Sequence, residues 1–180
     1  MEFTLTYRGP LSSNGDADEK QILRRHFHKQ LKALWKQPPL RDKNASKPPA
    51  HPLYEDSIKK VGPFQFAPLV SNHLSFTASL NITFLRPGFP GQLVNIGGDI
   101  DNRMKTLFDS LAIPPENQIL KTDLPQSDEN PLFCLLEDDA LIDAVTVRTD
   151  RLLDSQNVRE AMLVIHITTR CHFAYMVSDL

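Results

Sequence analysis

Leu74-Ser75-Phe76-Thr77-Ala78-Ser79-Leu80-Asn81-Ile82-Thr83-Phe84 is the stretch on which the fold turns. Its apolar residues, Leu74, Phe76, Ala78, Leu80, Ile82 and Phe84, alternate without a break with Ser75, Thr77, Ser79, Asn81 and Thr83. Successive side chains of an extended chain point to opposite faces, so this segment reads as a strand with one face packed and one polar. The same period recurs in residues 161–169, where Leu163, Ile165 and Ile167 oppose Val164, His166 and Thr168. It recurs again in residues 2–8, where Phe3, Leu5 and Tyr7 oppose Glu2, Thr4, Thr6 and Arg8, and in residues 141–149, where Val145 and Val147 point inward. Two stretches have helical spacing instead. Leu23, Phe27, Leu31, Leu34 and Trp35 fall on one stripe, with Asp16 or Asp18 as N-cap and Pro38-Pro39 as the stop. From about residue 102 to 111, Met104, Leu107, Phe108 and Leu111 repeat at i, i+3, i+4, i+7, and Pro114-Pro115 closes the run. The order β-α-β-α-β-β predicts an α+β fold, a single small sheet of about four strands with two main helices burying one core.

The chain has 180 residues, 41% hydrophobic and 23% charged, which fits one globular domain over 1–180. Two parts lack periodicity: a basic segment, 38–68, with seven prolines, and a polar loop, 112–131. No run approaches the roughly 18 consecutive apolar residues of a membrane helix, and Met1-Glu2-Phe3-Thr4 does not open a signal peptide, so a cytoplasmic protein is expected. Cys134 and Cys171 have no CxxC or Cys/His spacing and read as buried, reduced thiols. The net charge of −2 conceals an asymmetry. Residues 20–60 hold eleven Lys and Arg against three acids, and residues 99–143 hold eleven acids against three bases. Over distances beyond a Debye length of roughly 8–10 Å the local sign is what a phosphate backbone meets. Arg24, Arg25, Lys29, Lys32 and Lys36 on the first helix are the densest supply of phosphate-binding cations, and a solvated basic face is equally compatible with them.

Asp99 and Asp101 follow the Gly97-Gly98 pair. In extended chain two residues at this spacing point to one side, with Cα atoms roughly 6.6 Å apart, so both carboxylates can reach one cation. Lys105 lies one helical turn beyond Asp101, and Glu137-Asp138-Asp139 opens the third strand. If that strand lies beside the glycine-rich loop, Asp99, Asp101 and Asp139 converge on a hard divalent ion of the Mg²⁺ type, and the reaction class is phosphodiester hydrolysis. The same residues serve equally as a helix cap and a solvated acidic turn, and the residues alone leave both readings open. An EF-hand is excluded, because Met104 and Ser110 stand where its glycine and glutamate would. His26, His28, His166 and His172 have no ligand spacing and read as packed or surface histidines, and Phe27 and Trp35 as core.

Gly98-Asp99-Ile100-Asp101-Asn102-Arg103-Met104-Lys105, then Phe108-Asp109-Ser110-Leu111, then Glu137-Asp138-Asp139-Ala140-Leu141-Ile142 resemble the RusA family of Holliday-junction resolvases. That family's signature runs D-x-D-N-x-x-K, a helix with D-A-L, and later D-D-x-x-[IV]. The resemblance extends through the strand order and the first loop, Pro10 to Asn14, and so covers most of the chain. It implies a homodimeric, Mg²⁺-dependent endonuclease, with Mn²⁺ as a substitute, that nicks opposed strands of branched DNA in recombination and repair. The metal-binding aspartates then fall on Asp99, Asp101 and Asp139, the catalytic lysine on Lys105, and a structural role on Asn102. Asn14 joins Arg24, Arg25, Lys29, Lys32 and Lys36 as expected nucleic-acid contacts. Residues 38–68 and 113–136 are longer than their counterparts in the family. The alternative is a non-catalytic nucleic-acid-binding or interaction module on the same fold. A small-molecule enzyme has no support, since the chain lacks a phosphate-binding glycine loop, a nucleophile elbow and a dinucleotide fingerprint.

Overall fold

The computed structural model describes residues 1–41, 56–88, 100–120, 122–155, 157 and 159–172. Along them run β1 (Glu2–Pro10), α1 (Ala17–Leu34), β2 (Lys59–Val61), β3 (Phe64–Val70), β4 (Phe76–Arg86), α2 (Ile100–Leu111), β5 (Leu132–Leu136), β6 (Ile142–Arg151) and β7 (Glu160–Cys171). The α+β class stands. The single sheet does not, because β1-β7-β4-β6 form a four-stranded sheet and β2-β3-β5 form a second, three-stranded one. In the larger sheet β7 is antiparallel to both β1 and β4, and β6 is parallel to β4. In the smaller, β3 is antiparallel to β2 and parallel to β5.

The second sheet leaves no alternating pattern in the sequence, for a physical reason. β3 is buried at every position but Gln65, and β5 at every position, so neither alternates. A strand covered on both faces reads as a plain apolar run. β2 contributes only three residues, two of them exposed lysines. The 38–68 segment, expected to be extended and irregular, therefore carries a hairpin from residue 59 onward, and residues 42–55 lie outside those described.

One face of the larger sheet is built from Leu5, Tyr7, Ala78, Leu80, Ile82, Phe84, Leu163, Ile165 and Ile167, and the helices pack on it. Asp16 caps α1 by accepting the Glu19 N–H at 2.9 Å, and the stripe of Leu23, Phe27, Leu31 and Trp35 is buried within the same core. Burial pushes the Cys134 thiol well above its usual pKa. Cys171, expected to be buried, is exposed because β7 runs on past the core to end there. Among the described residues no helix is long and apolar enough to cross a membrane.

The 112–131 loop does not stand away from the body. Arg25 Nε donates to Glu129 Oε1 and Arg25 Nη2 to Asp123 Oδ1, each at 2.8 Å, and Lys32 Nζ donates to the Asp128 carbonyl at 2.7 Å. These contacts strap its acidic second half along α1. Glu129 is 2% exposed, so the pair it makes with Arg25 is shielded from water on the acid's side.

Candidate functional site

α2 organises the acidic residues because its two sides have different partners. Met104, Leu107 and Leu111 are buried in the core, whereas Asp101 and Lys105 are exposed and Asp109 is half-buried. Four-residue spacing sets Asp101, Lys105 and Asp109 in one row along the outer side. Asp101 lies inside the first turn, where its Oδ1 accepts the Asn102 N–H at 2.9 Å. A carboxylate here also lies at the positive end of the helix dipole.

The loop between β1 and α1 is pinned to this helix. Gly15 N–H donates to Thr106 Oγ1 at 2.9 Å and Arg103 donates to the Leu11 carbonyl, while Ser12 N–H donates to Glu19 Oε1 of α1 at 2.6 Å. A Cβ on Gly15 would lie 2.6 Å from Thr106 Cγ2, which is why the close approach takes a glycine. Asn14 is held between these contacts, with φ of 64°, a left-handed conformation that asparagine tolerates. The loop is thereby carried alongside α2.

The run Glu137-Asp138-Asp139 separates into three roles. Glu137 belongs to the end of the smaller sheet: its Oε2 accepts the Asn72 N–H at 3.0 Å and its Oε1 pairs with Lys59 at 3.5 Å. Asp138 caps a short 3₁₀ turn, Asp139–Leu141, by accepting the Ala140 N–H at 2.9 Å. Asp139 faces a cleft of about 200 Å³ whose walls include Asp109, Gln118 and Asp138. Its carboxyl is held above the usual carboxylate range, first by burial and then by the charges of Asp138 and Asp109. Lys20 of α1 pairs with Asp109 at 2.8 Å and partly offsets this accumulation.

Of the expected metal ligands and catalytic lysine, Asp101 and Lys105 lie on the α2 row and Asp139 in the adjacent turn, while Asp99 lies outside the described residues. Among the described residues no three carboxylate, imidazole or thiol groups are gathered closely enough to hold a metal ion. Asp109, Asp138 and Gln118, not among the expected site residues, line the cleft with Asp139. The spacing of Asp101, Lys105 and Asp109 is a signal for Asp109; Gln118, which ends a short 3₁₀ turn, Glu116–Gln118, has none.

The expected nucleic-acid contacts on α1 need correction. Arg24 is 2% exposed, its guanidinium donating to the carbonyls of Asp109 at 2.7 Å and Ala112 at 3.3 Å, so it closes the C-terminal end of α2 and is withdrawn from any phosphate. Arg25 is committed to Glu129 and Asp123, and Lys32 to Asp128. Lys29 and Lys36 remain exposed, with no ion pair among the described residues. Periodicity placed these side chains on a helix but could not show that the polar loop brings its acids to them.

Comparison of the chain with protein-family models, with curated proteins and with solved structures finds no match.

Proposed function

We propose that this chain is a Mg²⁺-dependent, structure-selective endonuclease that hydrolyses phosphodiester bonds in branched DNA, four-way junctions included, in recombination and repair, and works as a homodimer. The observation that carries the proposal is the meeting of Asp109, the last residue of the α2 row, with the Asp138–Asp139 turn across one open cleft. The polar groups on that cleft, beside Ala112, Ile113 and Pro115, are three carboxylates and one amide, the donor chemistry a hard cation takes. The crowding of Asp138 and Asp109 around Asp139 is charge that such a cation relieves. By the resemblance the ligands would be Asp99, Asp101 and Asp139; of these Asp139 lines the cleft, and Asp101 stands two helical turns before Asp109 on the α2 row. A bound divalent ion stabilises charge on the scissile phosphate and makes water a better acid. Lys105, exposed between Asp101 and Asp109 on the row, is placed to offset charge that develops on the phosphate. Asn14 and the loop that α2 carries supply neutral donors for the flanking backbone.

The test is purified protein incubated with four-way, forked and linear DNA, with and without Mg²⁺ or Mn²⁺. Metal-dependent cutting confined to branched substrates is expected. Asp101→Asn abolishes cleavage and spares binding, whereas Lys105→Met lowers the cleavage rate about 10²-fold or more. Undiminished cleavage by Asp101→Asn would overturn the assignment. Binding to junctions without cleavage at any concentration of either metal would replace it with the non-catalytic reading.

A further inference from the structure

The two edges of the larger sheet are finished differently. β1 forms one edge, and its outward groups at Thr6 are taken by α1: Thr6 N–H donates to Gln30 Oε1 at 3.0 Å and Gln30 Nε2 donates to the Thr6 carbonyl at 2.7 Å. His26 Nε2 reaches the same carbonyl at 2.8 Å. The side-chain amide of Gln30 thus occupies the position of a neighbouring strand. β6 forms the other edge, ten residues long, with β4 as its principal neighbour. From Asp143 to Asp150 no described residue hydrogen-bonds its outer side. A long open edge of this kind is a template for another strand.

Its residues divide by face. Val145, Val147 and Thr149 pair with Leu80, Ile82 and Phe84 and so lie on the core side, yet Val145 is 44% exposed because the core ends there. Thr146 and Arg148 pair with Asn81 and Thr83 on the opposite, polar side. Asp143 falls at the register shift and turns to that polar side, where Thr77 Oγ1 and Ser79 Oγ donate to it at 2.7 and 2.6 Å.

We infer that β6 is the homodimer interface, pairing antiparallel with β6 of a second copy about a two-fold axis at Thr146. In that register Val145 of each copy lies against Val147 of the other, extending the core face across the junction. On the polar face Arg148 of each copy lies opposite Ala144 of the other, next to its Asp143, so two complementary charge contacts form. Cross-strand pairs of β-branched residues and opposite charges are the contacts that stabilise such a ladder. The occupation of Thr6 by Gln30 and His26 obstructs the head-to-tail alternative, β6 on β1, which would propagate into a filament; pairing of β6 with itself closes at two copies. The larger sheets of the two copies become one of eight strands.

The interface does not rest on the nuclease reading, because it is measured without DNA. Sedimentation equilibrium of the whole protein is expected to give a dimer, and Thr146→Lys, which sets two ammonium groups face to face at an exposed position, weakens it about tenfold or more. Thr4→Lys, a change on the polar face of β1, leaves the dimer intact. In a Cys171→Ser background, Thr146→Cys forms an intermolecular disulfide on mild oxidation, since directly opposed residues stand roughly 4.5–5.5 Å apart at Cα. Wild-type protein that sediments as a monomer at all loading concentrations overturns the inference. A dimer indifferent to Thr146→Lys, together with no crosslink in the Thr146→Cys variant, overturns it equally, by moving the interface to another surface.

Discussion

His28 shows how one side chain can couple stability to pH. The Phe133 N–H donates to its Nδ1 at 2.9 Å, so Nε2 carries the proton and lies 3.2 Å from the Asp128 carbonyl. The neutral ring is satisfied on both sides while 1% exposed, and protonating Nδ1 would set two donors against each other. Burial first, then Lys32, holds its pKa below the ordinary histidine value, against weaker pulls from Asp128 and Glu129. The folded state therefore binds fewer protons than the unfolded one near pH 6. The stabilisation is complete above about 6.5 and is lost as pH falls through the lower folded value. Denaturant titrations of wild type and His28→Gln between pH 8 and 5 check this: the acid decline attributable to His28 is absent from the variant. Arg24 is a second such residue. Arg24→Met leaves the carbonyls of Asp109 and Ala112 without their donor and is expected to cost about 2–4 kcal/mol, read from the denaturation midpoint. Burial lowers the Arg24 pKa, but the site retains a cation because the groups around it are acceptors.

At the scale of elements, the β1–α1 loop and α2 form one mechanical unit through Gly15 and Thr106. Gly15→Ala drives a methyl into Thr106 Cγ2 and is expected to cost about 1–3 kcal/mol; adding Thr106→Ser removes that methyl, keeps the hydroxyl acceptor and restores most of the loss. A double-mutant cycle on thermal stability measures the coupling, and equal losses in single and double variants would show the loop to be held elsewhere. The elements that alternate were legible in the sequence: β1, β4 and β7 each turn one face towards the core, with the inward residues the period names, whereas on β6 Val147 packs against the core and Val145, expected inward, is exposed at the sheet edge. β3 and β5 were not legible as strands, since coverage on both faces erases the alternation from which a strand is recognised. For α2 the row Asp101, Lys105, Asp109 was readable from spacing, but that Asp109 and not Asp101 shares a cleft with Asp139 depends on where the 3₁₀ turn packs.

Across the whole molecule, charge is redistributed by folding. The basic stripe of α1 and the acids of the 112–131 loop are about a hundred residues apart in the chain and end in contact, so much of the cation supply is neutralised internally. Asp128→Asn keeps the carbonyl that accepts from Lys32 but removes the opposing charge at 3.4 Å. On the proposed function, if α1 faces the DNA, the variant binds junction DNA more tightly, and its log–log salt slope steepens by about 0.9 for each additional phosphate that the protein neutralises. An unchanged slope would place the DNA on another surface. The α+β class, the four alternating strands, both helices and the row of acids on the second helix were all present in the order of residues, because backbone period and helical spacing are local properties. Long-range packing, by contrast, was needed to divide the strands into two sheets, to make Arg24 a buried helix clamp, and to set Arg25 and Lys32 against a distant acidic loop. It also occupies one sheet edge at Thr6 with Gln30 and leaves the other without a partner among the described residues. Each of these outcomes depends on which remote surfaces meet, and burial and charge pairing between remote segments leave no period in the chain that carries them.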